Sequence, residues 1–333
     1  MIRTEAELEN LLASPSDADV AFARKLDGDV VVLGAAGKMG PSLVARAQRA
    51  LRAAGSKFRV IAVTRSGAPV AEGVETVAAD LLDRSQVNGL PYAPNVIYMV
   101  GRKFGSTGNE PLTWAVNALV PAFVAERYRG SRIVAFSTGN VYPFVPVASG
   151  GATEATRPEP IGDYAQSALA RERIFEYFSA KDGTPVLLLR LNYAIELRYG
   201  VLVDIAQKVL GRVPIDLAMG HVNVIWQGDA NSVCLRSLEL ARSPARALNL
   251  TGADVLSVRD LALGFGRLFS ADPVFEGQEN PNALLSNAAE CHRNFGAPAV
   301  SVPEMMEMIA SWLEAGGRTL GKPTHFETRT GSF

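Results

Sequence analysis

Val30-Val31-Val32-Leu33-Gly34-Ala35-Ala36-Gly37-Lys38-Met39-Gly40 is the stretch on which the reading of this chain turns. Four apolar residues in a row make a strand buried on both faces, because a half-exposed strand would alternate. Three spaced glycines follow, Gly34, Gly37 and Gly40, and then a helical run through Ala54. Glycines at a strand-to-helix turn let the backbone bend sharply and approach a pyrophosphate, which then rests on the helix N-terminus. The strand before and the helix after give the triplet its meaning.

Outward from this point, apolar runs predict further strands at 59–64, 74–79, 95–100, 132–137 and 185–191. Helical stretches at 111–128 and 163–180 lie between them. Such alternation specifies a parallel sheet covered by helices on both faces. Beyond residue 190 the pattern loosens into a helix at 201–210, a strand at 222–226, a helix at 229–241, a strand at 247–250 and helices at 257–269 and 303–315. Residues 1–192 with about 221–250 are thus expected to form the dinucleotide-binding domain. Residues 193–220 with 251–333 are expected to form a smaller α/β substrate domain. Upstream, Thr4-Glu5-Ala6-Glu7 and Ser16-Asp17-Ala18-Asp19 read as capping boxes of two short helices. Leu8, Leu11 and Leu12 give the first helix an apolar stripe to pack on the main domain. Residues 316–333 are polar and glycine-rich, and are expected to lie over the surface.

Composition narrows the function classes. The 333 residues carry 33 Lys+Arg against 34 Asp+Glu, a net charge of −1, so nothing resembles a nucleic-acid footprint or a polybasic membrane patch. No apolar run approaches the ~20 residues of a membrane helix. The acidic N-terminus does not suit a signal peptide. Cys234 and Cys291 form no CxxC pair, and His221, His292 and His325 are scattered, so no metal site is expected. These features together predict a cytoplasmic protein.

The spacing G-x-x-G-x-x-G resembles the extended short-chain dehydrogenase/reductase family, which includes NAD-dependent sugar epimerases and dehydratases. Further motifs match in order: Ala79-Asp80-Leu81, Trp114-Ala115-Val116-Asn117, Phe136-Ser137-Thr138-Gly139-Asn140-Val141-Tyr142, Leu189-Arg190-Leu191-Asn192, and the strand-plus-aspartate run from Val222 to Asp229. The resemblance implies a doubly wound parallel-sheet Rossmann fold. It implies that Gly34, Gly37, Lys38, Met39 and Gly40 hold the cofactor's pyrophosphate, that Asp80 beside Leu81 meets the adenine, and that Val100 and Gly101 line the nicotinamide side. At the end of the second strand, NAD-selective proteins place an acid for the ribose hydroxyls. This chain has Thr64-Arg65-Ser66 there. A guanidinium suits a 2′-phosphate, with Lys38 as a second cation. The expected cofactor is therefore NADP, with NAD as the alternative.

The resemblance also implies that Thr138 orients a substrate oxygen, that Tyr164 exchanges its proton, and that Asn117 belongs to the same catalytic set. One departure is plain. The family's lysine, four residues after the tyrosine, is Ala168 here. A phenol that titrates near ~10 is a poor base at neutral pH without a cation beside its oxygen. The absence predicts a bias toward reduction at neutral pH, unless Arg102 or Lys103, after the fourth strand, supply positive charge or grip an anionic substrate. Asn140, Asn192, Tyr193 and His221 complete the expected substrate side. Where nucleotide-sugar members often carry a diphosphate-binding arginine, this chain has Val222, which favours a smaller polyol, sugar acid or lactone. Family members commonly pair through the helices at 111–128 and 163–180, so Phe123, Ile174, Phe175 and Phe178 predict a homodimer. The other class of function left open is an NADP-binding regulatory or scaffold protein with little turnover.

Overall fold

The computed structural model describes residues 2–103, 105 and 107–331. Seven strands make one sheet: β1 (Val30–Leu33), β2 (Val60–Thr64), β3 (Glu75–Ala78), β4 (Asn95–Tyr98), β5 (Arg132–Thr138), β6 (Val186–Leu191) and β7 (Arg246–Leu250). Every pairing is parallel and the spatial order is 7-6-5-4-1-2-3. Chain direction across the sheet reverses beside β1, so a crevice opens at the carboxyl ends of β1 and β4, where ligands of doubly wound sheets bind.

The unbroken apolar strands are explained by their two covered faces. Val30 and Val32 enter one core with Val60 and Ala62, under the helices Gly40–Ala53 and Gln227–Arg236. Val31 and Leu33 enter the opposite core with Ile61 and Val63. The helix Gly162–Asp182 covers this second side, with Phe175 fully buried edge-on to Tyr98 at 5.2 Å. Phe175 therefore faces the sheet and offers nothing to a dimer surface.

A third core holds the C-terminal half, and Leu8 and Leu12 belong to it along with Val201, Phe265 and Trp312. Both N-terminal capping boxes are formed. Leu11 of the expected stripe is instead exposed. Buried Asp19 accepts from Arg46 Nε at 2.8 Å and from Ser232 Oγ at 2.6 Å, which pins the second N-terminal helix, Asp17–Ala23, to the two helices behind the glycine loop.

Four elements differ from expectation. The strand at 222–226 is two short pieces, His221–Val222 antiparallel to Leu256–Ser257 and Ile225–Trp226 parallel to Ala194–Ile195. Between them Asn223 turns its amide to Asp254 O and Ser286 N, which ends one ladder and starts the other. The helix at 111–128 is interrupted by a π-turn at Ala115–Leu119. The helices Arg84–Gly89 and Ala289–Phe295 escape periodicity because each buries one apolar side chain.

The C-terminal segment does more than cover the surface. Leu320 N–H donates to Arg198 O, Phe326 is buried, and Arg329 donates to Ala218 O and Asn282 O while stacking 4.1 Å from the Phe144 ring. Residues 332–333 lie outside the described residues.

Candidate active site

The glycine loop is built by contact. Gly34 has φ +81°, and a Cβ there would stand 2.9 Å from Val100 Cγ2. A Cβ on Gly40 would meet Ala35 O at 2.1 Å, so this glycine lets the helix close on the loop. The helix Gly40–Ala53 begins with no side-chain cap; Gly40 N–H donates to Gly37 O at 2.9 Å and Pro41 has no N–H, so the turn itself closes the helix start.

Two cavities meet at Gly34. The smaller, about 130 Å³, is lined by Arg65, Asp80, Leu81 and Val100. The larger, about 530 Å³, is bounded by Gly37, Lys38, Met39 and Gly101 on one side, and by Thr138, Asn140 and Tyr164 on another. Asn192 and Tyr193 close its floor. The expected cofactor and substrate residues are thereby brought together from seven separate segments.

Local structure fixes each of them. Thr138 ends β5, and its Oγ1 accepts from Asn140 N at 3.2 Å and from Asn140 Nδ2 at 3.0 Å. A hydroxyl that accepts twice still has its own proton to donate. Tyr164 stands in the first turn of Gly162–Asp182. Tyr193 has φ +47°, an uncommon conformation for a bulky residue and a mark of local strain at a site. Burial raises its phenol. Beneath the site, Arg190 holds buried Glu172 through two bonds of 2.9 and 2.6 Å and reaches Tyr142 Oη at 2.7 Å. This network fixes the ends of β5 and β6.

Three expected residues stand elsewhere, and a fourth, Lys38, is in the site but away from Arg65. Asn117 is fully buried and lines neither cavity. Its Oδ1 accepts from Arg102 N at 2.9 Å and Arg171 Nη2 at 2.8 Å, while its Nδ2 donates to Arg102 O at 3.1 Å and Ser167 Oγ at 2.9 Å. It is a positioning residue, held in the π-turn. Arg102 turns its guanidinium to Gly105 O and away from both cavities. His221 is taken up by a strand pair and lines neither cavity. Lys38 lies in the larger cavity, 3.0 Å from Ala194 O and 4.3 Å from the Tyr199 ring centroid, apart from Arg65 in the smaller one.

The residues missed are on the far wall: Tyr199, Leu320, Lys322 and Thr324. The last three belong to the C-terminal segment, and no motif marks them. Lys38, Lys103 and Lys322 line the larger cavity, and among the described residues no carboxylate lines it. Burial pushes the Lys38 ammonium down to about 8, with Glu196 opposing the shift and Arg198 adding to it. Lys103 is likewise pushed to about 8 by burial, with Asp204 pulling the other way. Among the described residues no group of His, Cys, Asp and Glu is placed to hold a metal ion, and no helix is long and apolar enough to cross a membrane.

A model of the NAD-dependent epimerase/dehydratase family matches residues 30–195. The chain belongs to that family. Solved structures of similar shape include the UDP-glucose 4-epimerase of Thermotoga maritima with UDP-glucose (TM-score 0.69, 15% identity, 86% of this chain and 99% of that one). The UDP-glucose 4-epimerase of Thermus thermophilus with NAD is another (0.68, 20%, 86% and 99%). The epimerase Mth375 of Methanothermobacter thermautotrophicus is a third (0.71, 20%, 90% and 96%). At these identities the likeness establishes the shared fold. No curated protein sequence matches the chain. Within the epimerase/dehydratase family pattern, the departure that the geometry sharpens is Ala168, fully buried against Val141, Tyr142 and Ala152.

Proposed function

We propose that this chain is a nicotinamide-dependent enzyme acting on a secondary alcohol or ketone of a small sugar-like molecule. The observation that carries the reading is Thr138 and Tyr164 in one cavity with the glycine loop. The residues present fit a dinucleotide: a helix start with no side-chain cap, glycines whose missing side chains leave the loop open, and the smaller cavity with Asp80 for the adenosine end. When bound, the nicotinamide accepts or returns a hydride. Thr138 donates its hydroxyl proton to the substrate oxygen and orients it. Tyr164 takes the alcohol's proton during oxidation and returns it during reduction. Residues 193–220 and 251–331 shape the substrate side.

Two finer features belong to the same proposal. Arg65 in the smaller cavity favours NADP over NAD, because a guanidinium recognises a ribose phosphate by charge and fork geometry. Three lysines with no carboxylate among the described lining residues, under a C-terminal segment that closes the cavity, favour a small anionic sugar derivative such as a sugar acid over a nucleotide-diphosphate sugar. Buried, unpaired Cys234 and Cys291 suit a reducing cytoplasm. Ala168 favours a second reading, an NADP-binding protein with little turnover. Incubating the protein with NADP or NAD and a panel of sugar acids, neutral polyols and nucleotide sugars, while following nicotinamide absorbance, separates these readings. Oxidation of sugar acids is the expected result. Cofactor binding without turnover on any member of the panel would favour the second.

A further inference from the structure

A lysine at position 168 would stand one helical turn from Tyr164, and the alanine there brings no charge. The nearby cations can be taken in turn. Arg171, two turns along the same helix, spends its guanidinium on Phe136 O and Asn117 Oδ1, both at 2.8 Å. Arg102 is turned to Gly105 O. Lys38 lies over Tyr199, and Lys322 stands at the exposed rim. Lys103 lines the same cavity as Tyr164, with its Nζ 5.9 Å from the Tyr164 ring centroid.

The segment carrying Lys103 is fastened from both directions. Asn117 grips the N–H and C=O of Arg102 and, with the same amide, Ser167 on the helix that carries Tyr164. From across the cleft, Thr324 O accepts from Lys103 Nζ at 3.4 Å. Thr324 N and Oγ1 donate to Asp204 Oδ2 at 2.7 and 2.6 Å, which ties the ammonium and this carboxylate to one residue.

We propose that Lys103 supplies, from the facing loop, the positive charge that residue 168 lacks, and so readies Tyr164 to take the substrate's hydroxyl proton. The inference rests on the alcohol-oxidising reading of this site. In the oxidation, the carbinol C–H leaves as hydride to the oxidised nicotinamide dinucleotide, the O–H proton passes to the Tyr164 phenolate, and the ammonium of Lys103 is unchanged. An opposite charge within about 6 Å favours the phenolate form.

The charged and titratable groups around the pair are Asp204, Tyr193 and Tyr199 from the segment after β6, Glu327 and Lys322 from the C-terminal segment, and Lys38 from the glycine loop. Burial brings Lys103 down to about 8. Its charge is therefore present below that pH and lost above it, so oxidation rises with pH as phenolate forms and levels off past about 8.

Lys103→Met and Lys103→Arg, each with and without Tyr164→Phe, provide the test. Phenolate absorbance is titrated on the protein without substrate, and pH–rate profiles are recorded for any alcohol it oxidises. In Lys103→Met kcat at neutral pH should fall about tenfold or more with a smaller change in KM. Lys103→Arg, whose charge persists, should keep kcat at neutral pH and show the absorbance owed to Tyr164 about one pH unit or more below that of Lys103→Met. The same phenolate titration in Lys103→Arg and Lys103→Met, or a change in KM alone, would overturn the proposal and make Lys103 a ligand contact. If the wild type oxidises no alcohol, the functional reading fails while the phenolate titration still decides the role of Lys103.

Discussion

Arg65 and Asp80 line one small cavity, and the proposed preference for NADP rests on Arg65 there. Arg65→Ala should weaken NADP binding by about tenfold or more while NAD binding changes little, because one charge-assisted bond to a phosphate is worth about 1.5–3 kcal/mol. Calorimetric titration with both cofactors measures the difference; equal losses would remove Arg65 from the discrimination. At this scale Gly34, Thr138 and Tyr164 were legible in the sequence, because each sits at a junction where strand becomes helix and the spacing is fixed by the turn. Asn117 was legible as a residue and misread as a role. Its type and position are those of a site residue, but only the fold shows all its bonds turned inward. Lys322 and Thr324 were not legible at all, since a residue that reaches a site through a long loop leaves no periodic trace.

Among the elements, the helix Asp17–Ala23 depends on one carboxylate. Asp19 is fully buried. Burial alone would raise its carboxyl, but the Arg46 charge and bonds from Ser232 and Ser16 outweigh that and hold it below the usual aspartate value. A depressed native value means the stabilisation is present above the unfolded value, about 3.9, and is lost as pH falls through the native one. Asp19→Asn strands buried Arg46 and should cost about 3–5 kcal/mol at neutral pH, with a difference from wild type that narrows in acid. Urea unfolding at both pH values measures this; a constant difference would show that packing, and not charge, holds the helix. The inner strands were readable because both faces are covered, as in Val30–Leu33, which is apolar and buried throughout, whereas the edge strand Glu75–Ala78 is partly exposed. The break at Asn223 was not, because an amide that leaves a ladder for Asp254 and Ser286 answers to residues about thirty and sixty positions away.

For the molecule as a whole, the helices at Glu110–Arg127 and Gly162–Asp182 leave Leu119 and Tyr177 exposed, at 47% and 58%, with Phe123, Ile174 and Phe178 half-buried nearby. An apolar surface of this kind is what two copies would cover, and we expect a homodimer. Light scattering at micromolar concentration should give twice the chain mass, and Tyr177→Glu should shift it toward one. A wild-type monomer would exclude the pairing. The C-terminal segment bears on a different matter, the order in which a growing chain acquires its parts. The glycine loop, Arg65 and Asp80 all precede residue 81, whereas Lys322 and Thr324 follow far later. A nascent chain therefore has the makings of its smaller cavity long before its larger one has a far wall.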